Sequence, residues 1–325
     1  MLVGQPIPFV YRVVLGTMSV LMLIGLYTML AHSRQTRKQN ETAKKLPPVQ
    51  QQLDDVEERL ESTNPDAVDE RKQLITEKER LLERISSIEK QITEAQDRAV
   101  PTWRTLGIAL GYVLKHDGLN GKPQYWLWED SIATSSRLFA GLAVGVGLSI
   151  ILGVMMGAYS PVEAFFLPSL SFLAKIPPTA MLAVFFVLVG TEFDMYVTMI
   201  AFGTLPTLAQ SIYQSAKKDV PESLVFKAYT LGASHGELIW NVIFKQILPR
   251  VIDAVRLQIG PAMVLLVAAE WMVAGEGFGY RLRLFYQRTD MSVVYLYLIL
   301  LGAAGLLIDF ALTWFRRWLC PWFGE

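Results

Sequence analysis

Residues 138–158 read LFAGLAVGVGLSIILGVMMGA, an apolar run that contains no charged side chain. A helix of about 20 such residues is long enough to cross a hydrocarbon layer about 30 Å thick. Six apolar segments of about this length, each with at most one charged residue, occur along the chain: residues 9–31, 138–158, 172–190, 195–214, 257–275 and 293–315. The pattern predicts an all-α, polytopic membrane protein with about six transmembrane helices, and it excludes a soluble enzyme.

The charged residues are concentrated in one part of the chain. Overall, 30 Lys and Arg balance 30 Asp and Glu, so the net charge does not indicate nucleic acid or any other strongly charged partner. Residues 32–98 hold 13 basic and 15 acidic residues, 28 of the 60 charges. The single Cys320 and the dispersed His32, His116 and His235 indicate neither a disulfide framework nor a metal site.

This charged segment, residues 32–100, is expected to be an inserted coiled-coil hairpin. A break at residues 62–65 divides an apolar seam with alternating steps of three and four residues, so we expect an antiparallel pair of arms, each about 30 residues and roughly 45 Å long. Pro47-Pro48 is expected to kink the first arm. The alternative is a lone charged helix or partial disorder. The seam consists of Leu46, Val49, Leu53, Val56, Leu60, Leu74, Leu81, Ile85, Ile88, Ile92 and Ala95, with Lys78 as a misfit.

Basic residues predict the orientation of the spans. The loop 217–256 contains six Lys and Arg residues, and Arg316-Arg317 follows the last span, so both regions should be cytoplasmic under the positive-inside rule. Counting crossings backward then places the hairpin in the periplasm, although several basic residues directly after the first span favour the opposite side. The predicted division is an N-terminal transmembrane helix (1–31), the hairpin (32–100), an outer loop and interfacial segment (101–131), the transmembrane core (132–317) and a cytoplasmic tail (318–325).

The cytoplasmic loop 217–256 has the features of a docking element. Residues 223–231 and 235–247 have helical patterns, with Gly232 between them as a helix terminator and Pro249 ending the second helix. The sequence therefore predicts two short helices along the membrane surface.

The same loop resembles the signature of the membrane subunits of binding-protein-dependent ATP-binding-cassette importers, in the branch for nitrate, sulfonates and taurine. That signature reads Glu-Ala-Ala, three residues, Gly, and later Leu-Pro. The third residue, the Gly and the Leu-Pro fit this chain at Ala228, Gly232 and Leu248-Pro249, whereas Phe226 and Lys227 depart from it. The resemblance covers about residues 132–317, with further matches at AKIPPT (174–179), AAE (268–270) and GFGY (277–280).

The resemblance implies a permease subunit in the bacterial inner membrane that translocates a small polar solute delivered by a periplasmic binding protein. A second permease subunit, identical or a sister, would face it, and two copies of a separate ATPase would bind the coupling loop. The chain has no G-x-x-x-x-G-K-[ST] loop, so we expect it to hold no cofactor and ATP and magnesium to be used by that partner. The coupling residues implied are Ala228, Gly232, Ala233, Leu248 and Pro249.

Glu270, Pro177 and Pro178 are candidates for a solute pathway or gate. A carboxylate within a span costs several kcal/mol unless it faces protein or water, so Glu270 marks a pathway, a gate or a helix–helix contact, or else forms a structural hydrogen bond near the outer interface. The two prolines would break a helix, either lining a pathway or producing a structural kink.

Small residues repeat every four positions at Gly141, Gly145, Ser149 and Gly153. Such a stripe lets another helix approach closely. Packing within the subunit is favoured over a seam between two subunits.

A competing function is a membrane-anchored coiled-coil scaffold without transport activity, in which the hairpin does the work. That function leaves the helix stops at Gly232 and Pro249 unexplained. An intramembrane enzyme would be expected to show paired acidic residues or a catalytic motif, and none is present. In a permease, the hairpin is hypothesised to contact the solute-binding protein or its own copy in a second subunit.

Overall fold

The computed structural model describes residues 9–62, 68–94, 97, 99–117 and 123–323. These residues are helical apart from turns and one antiparallel pair of two-residue strands, in which His116 lies opposite Gln124. The all-α prediction is confirmed. The elements are α1 (Phe9–Ala43), α2 (Leu46–Ser62), α3 (Val68–Glu94), α4 (Trp103–Leu114), β1 (His116–Asp117), β2 (Pro123–Gln124), α5 (Trp126–Ala158), α6 (Ser160–Leu173), α7 (Leu182–Val189), α8 (Phe193–Lys218), α9 (Glu222–Thr230), α10 (His235–Glu237), α11 (Phe244–Val273), α12 (Phe278–Gln287) and α13 (Met291–Leu319).

The chain divides into two compact units, Met1–Ala109 with Thr289–Ser292, and Leu110–Arg288 with Val293–Glu325. In the described part of the chain, four helices are long and apolar enough to cross a membrane, and the bent pair of α6 and α7 makes a fifth. The four are helical stretches at Val14–Ser62, Trp126–Ala158, His235–Val273 and Met291–Leu319, which start within α1, α5, α10 and α13. The predicted fourth span is α8, which has 26 residues but does not reach that apolarity. It packs against both α5 and α11, so its side chains contact protein and can be more polar than a lipid-facing helix allows.

In the first unit, α2 and α3 pack against each other as a hairpin. The ten seam residues from Leu46 to Ile92 lie in one apolar cluster, whereas Ala95 is outside the described residues. The misfit Lys78 pairs with Glu57 at 2.8 Å, which places its charge at the edge of the seam. The expected kink at Pro47-Pro48 does not form. These prolines occupy the first turn of α2, after a turn that follows α1, because a helix start needs no backbone N–H donors there.

The two ends of the hairpin are held side by side by α1 and α4. The Tyr27 hydroxyl donates to the Pro101 carbonyl at 2.6 Å, and the Trp103 indole N–H donates to Thr28 Oγ1 at 3.0 Å. The Tyr27 and Trp103 rings also meet edge to face, with centroids 5.0 Å apart. The middle of α1, at Tyr27 and Thr28, therefore lies beside the start of α4.

In the second unit, α5 and α8 pack through the small-residue stripe. A Cβ placed on Gly141, Gly145 or Gly153 would lie 2.6, 2.1 or 2.7 Å from atoms of α8. Ser149 is fully buried in the same stripe and donates to the Gly145 carbonyl at 2.6 Å. The stripe is thus occupied by a helix of the same subunit. It lets the two backbones approach closely enough for dispersion contacts along the whole interface.

The third predicted span, residues 172–190, is not a single helix. After α6, a 3₁₀ turn at Pro178–Met181 leads into α7, and the two helices differ in direction by 82°. Pro177 has an extended backbone (φ −62°, ψ 120°), because the residue before a proline is excluded from the helical region. The prolines therefore produce a sharp bend.

Candidate functional site

The coupling loop turns at Gly232. This residue has φ +82°, in the left-handed region that glycine adopts at little cost. Its N–H donates to the Tyr229 carbonyl at 3.0 Å, and the Ala233 N–H donates to the Ala228 carbonyl at 3.0 Å, so the free carbonyls at the end of α9 are satisfied. Gly232 is the helix terminator that the sequence predicts.

The next helix begins at a capping box. The Ser234 N–H donates to Glu237 Oε2 at 2.9 Å, and the Ser234 hydroxyl accepts from the Glu237 N–H at 3.4 Å. From α10, a π-helical segment at Leu238–Ile243 continues into α11. The loop is therefore joined to a membrane-crossing helix without an intervening hinge loop.

The prediction that Pro249 ends the second helix is wrong. Pro249 is buried inside α11, which continues to Val273. An internal proline removes one backbone hydrogen bond, and the burial of Ile247 and Val251 on either side stabilises the helix across that position. Leu248 is half-buried beside it.

Of the predicted coupling residues, Gly232 is exposed. Ala228 faces inward with Leu224 and Val225, against an apolar cluster that includes Leu238. Ala233 is half-buried. The signature residues other than Gly232 are therefore partly or fully buried, and they support the loop from the side that faces the core.

Ion pairs fix the helix ends at the same side of the core. Arg256 binds Asp309 through two contacts of 2.8 Å, and Arg316 binds Asp253 at 2.7 Å, so α11 is tied to α13 twice. Lys217 pairs with Glu163 at 2.8 Å. Each pair is partly exposed and therefore contributes little to stability by itself. Together the pairs hold the end of α8 against α6 and the start of α11 against α13, on either side of the loop.

A second polar cluster lies at the opposite end of α11. Glu270 is completely buried and accepts hydrogen bonds from the Thr134 hydroxyl (3.0 Å), from Arg137 Nη1 (2.9 Å) and from the Gly279 N–H (2.9 Å). Gly277 packs so closely that a Cβ there would lie 2.6 Å from Glu270 Oε1. This geometry is that of a contact between α5, α11 and α12.

Asp130 completes this cluster. It is fully buried and accepts from Arg281 Nε (2.8 Å), the Tyr297 hydroxyl (2.6 Å) and the Gly277 N–H (2.9 Å). The Phe278 N–H donates to Thr134. Two buried carboxylates thus sit at the N-terminus of α12, where the helix dipole favours negative charge, and two arginines balance them.

Sequence reasoning missed Asp130, Thr134, Arg137, Arg281 and Tyr297. The first three are spaced by four and three residues, which places them on one helix face. That spacing was a usable signal, but it lies in the part of α5 before Leu138, where the apolar run had not begun. The helix starts at Trp126 because its polar face is buried against α12 and α13.

The bend at Pro178 lines a cavity of 340 Å³. Its other walls are formed by Thr179, Gly203, Thr204 and, from α11, Pro261, Ala262, Val264 and Leu265. Pro178 and Glu270 therefore belong to different regions of the described core.

The fold and these two regions define a multi-span membrane protein in which the loop turn and the buried charged cluster position helices relative to one another. Residues 145–324 match the family "Binding-protein-dependent transport system inner membrane component", so the chain belongs to that family. It is a multi-pass permease of the inner membrane, and the ATPase and the solute-binding protein of such a system are separate components. A scaffold without transport activity is thereby excluded.

Curated relatives agree with the branch that the motifs indicate. A probable ABC transporter permease of Brucella melitensis is 29% identical over 63% of this chain and 81% of its own. The taurine transport system permease of Escherichia coli is 26% identical over 61% of this chain and 72% of its own. The bicarbonate transport system permease of Synechococcus elongatus is 26% identical over 66% and 76%.

Proposed function

We propose that this chain passes a small polar solute of the nitrate, sulfonate or taurine type across the inner membrane, driven by ATP that a partner subunit hydrolyses. The relatives named for taurine and bicarbonate transport support a small polar solute. The observation that carries the proposal is the coupling loop, in which a positive-φ Gly232 and a capping box set two short helices against the ends of the spans.

In the proposed cycle, two copies of the ATPase bind the loops of two facing permease subunits, and ATP with magnesium stays in the ATPase. A displacement of the loop would reach the membrane directly, since α10 continues through the π-helical segment into α11. A docked partner can in this way convert binding free energy into movement of a span.

The proposed pathway runs past the cavity at Pro178, with Pro177 setting the bend that opens it. A broken helix is tolerated within a membrane where its backbone faces protein or a cavity. Glu270 then helps to close the outer end of this pathway, because its hydrogen bonds hold α12 in place.

Co-purification followed by transport tests this function. The tagged permease should retain the ATPase subunit encoded with it, and the complex in proteoliposomes should import taurine, a sulfonate, nitrate or bicarbonate only when ATP and the solute-binding protein are present. A permease that is recovered without the ATPase, despite co-expression, would contradict the proposal.

Replacement of Gly232 by valine should reduce ATPase activity coupled to transport about tenfold. No atom lies within 4 Å of a Cβ at Gly232, so the effect comes from the backbone alone. Holding the backbone of a β-branched residue in the left-handed conformation costs roughly 1–2 kcal/mol of free energy, which is enough to displace the turn. Gly232→Asn should keep most of the activity, since asparagine tolerates this conformation. Gly236→Ala is the matched control, because Gly236 is also open but helical; equal losses at both glycines would refute the role of the turn.

The hairpin is proposed to contact the solute-binding protein. A polar groove of 880 Å³ runs along α3, and the described residues that line it include the basic Lys72, Arg80 and Arg84 and the acidic Glu77, which suits an acidic face of that protein. Replacing residues 34–98 by a short Gly-Ser linker is feasible, because Tyr27 and Trp103 hold the two ends together. The affinity for the binding protein should fall about tenfold, about 1.4 kcal/mol, with ATPase binding unchanged. Unchanged affinity with an altered oligomeric state would instead assign the hairpin to self-pairing.

A further inference from the structure

The cytoplasmic half of α8 carries polar side chains on the side that points away from α5. The α8 residues that approach glycines of α5 in this half are Ala209, Ile212 and Ala216. At 3.6 residues per turn, Thr207 and Gln210 lie on the other side of the helix. Polar side chains in a membrane-embedded helix face protein or a water-filled space, because lipid tails offer them no hydrogen bonds. This side of α8 therefore borders protein or a pathway.

Gln210 carries a hydrogen-bond donor that the protein does not use. Its Nε2 atom is buried, and among the buried side-chain nitrogen and oxygen atoms of the described residues it is the one without a hydrogen-bond partner. Buried polar groups are nearly always paired, since an unpaired donor keeps the full cost of its desolvation. The Thr207 hydroxyl, in contrast, already donates to the Thr204 carbonyl at 3.2 Å. Gln210 therefore offers a donor for an acceptor that the described residues do not supply.

A second amide, that of Gln258, lies across from Gln210. A Cβ placed on Gly203 would lie 2.8 Å from Leu265 Cδ2, so these two residues of α8 and α11 are at the same level. The two helices run in opposite directions, because one enters and the other leaves the cytoplasmic loop. Gln210 follows Gly203 by seven residues, and Gln258 precedes Leu265 by seven. Seven residues make about two turns, so both amides lie about 10 Å to the cytoplasmic side of that contact, on the faces that meet there.

The cavity at Pro178 lies on the outer side of these two amides. Gly203 and Leu265 belong to its lining, and the described residues that line it carry no charge. A solute that passes this cavity toward the cytoplasm would next meet the amide donors. An amide N–H binds an oxyanion without supplying a full positive charge, so the anion is held weakly enough to leave again.

We propose that Gln210, assisted by Gln258, forms an uncharged binding site for the oxyanion group of the transported solute, a sulfonate, nitrate or bicarbonate. The Gln210 amide N–H bonds an oxygen of the anion, which satisfies the donor that is unpaired in this conformation. Because Nε2 is covered here, the site opens when α11 moves relative to α8, and the helical connection from α10 links this movement to the coupling loop. This inference rests on the proposed function and adds the residue that recognises the solute.

The test compares import and stability in the same variants. The complex in proteoliposomes, with ATP and the solute-binding protein, is offered labelled taurine, ethanesulfonate, nitrate and bicarbonate. Gln210→Leu should lower the import of the probe that the unaltered complex carries about tenfold, as expected for one lost hydrogen bond to a charged group. Its thermal unfolding temperature should stay the same or rise, because leucine leaves no buried donor unpaired. Gln210→Glu should lower the import further, since a carboxylate repels an anion.

Gln214→Leu is the matched control. Gln214 lies one turn further along α8 and is exposed, so the same replacement removes no buried donor. Its import should stay within about twofold of that of the unaltered complex. Equal losses in Gln214→Leu and Gln210→Leu would refute the site, since the loss would then follow from an apolar residue anywhere on this side of α8.

The remaining outcomes separate the site from the proposed function. If the unaltered complex imports one of the probes and both Gln210 variants import it equally well, the site is refuted while the proposed function stands. If Gln210→Leu unfolds at a lower temperature and loses the second permease subunit, the amide belongs to a contact between subunits and the solute site is refuted. If the unaltered complex imports none of the probes, the proposed function fails and the site with it.

Discussion

Replacement of Asp130 by alanine should destabilise the permease by about 3–5 kcal/mol. Asp130 is fully buried, and Arg281, whose side chain is only 8% exposed, would lose its carboxylate partner. Removing one member of a buried ion pair leaves an uncompensated charge in a low-dielectric interior, which costs far more than the pair contributes when intact. The Tyr297 hydroxyl and the Gly277 N–H would also lose their acceptor. The loss should appear as a lower thermal unfolding temperature of the detergent-solubilised protein.

A second aspartate provides the matched control. Asp309 also binds an arginine, Arg256, at 2.8 Å, but its side chain is 44% exposed. Asp309→Ala should therefore cost at most about 1 kcal/mol. The two aspartate–arginine pairs have the same chemistry and the same distance, and they differ in burial. Similar unfolding temperatures for the two variants would therefore show that the Asp130 cluster does not hold α5, α12 and α13 together.

A double variant distinguishes a role of the cluster in stability from a role in transport. The double replacement Asp130→Leu with Arg281→Met removes both charges and should recover much of the lost stability, since apolar residues can replace a buried pair at little cost. If the double variant is stable but transport stays impaired, then the cluster also has a role in the transport cycle.

The sequence predicted those parts of the fold in which one face of a helix repeats regularly. The seam from Leu46 to Ile92 packs as the heptad pattern indicates, because steps of three and four residues leave a single stripe to bury. The pattern could not show whether Pro47-Pro48 would lie inside a helix or at its start, since proline is compatible with both a kink and a helix start. Only the turn after α1 decides between them.

The site was less predictable because its residues come from distant parts of the chain. Asp130 and Tyr297 are 167 positions apart, and no local pattern links them. Glu270 was identified because a carboxylate within an apolar run is exceptional. Its partners Thr134 and Arg137 lie at the start of the predicted core, before the apolar run that begins at Leu138, and hydropathy could not indicate this contact because it depends on tertiary packing. Pro249 failed as a helix stop for the same reason: the packing of its neighbours outweighs the lost hydrogen bond.

Replacement of Gly153 by leucine should destabilise the permease by about 3 kcal/mol or more. A Cβ at Gly153 would lie 2.7 Å from the Ala209 carbonyl oxygen and 2.7 Å from Ile212 Cβ. The carbonyl belongs to the backbone of α8, so it cannot move aside as the end of a flexible side chain could. Overpacking of a close interface costs typically 1–3 kcal/mol, and more where the backbone itself must shift.

The same helix contains the control for this prediction. Gly147 also lies in α5, but no atom lies within 4 Å of a Cβ placed on it. Gly147→Leu adds the same side chain and the same gain in helix propensity without separating α5 from α8. Fluorescence-detected size-exclusion chromatography after heating should therefore show early loss of the monodisperse peak for Gly153→Leu and little change for Gly147→Leu. Equal loss in both variants would mean that bulk in α5 is harmful in itself, and the stripe would then not be the contact that sets the distance between α5 and α8.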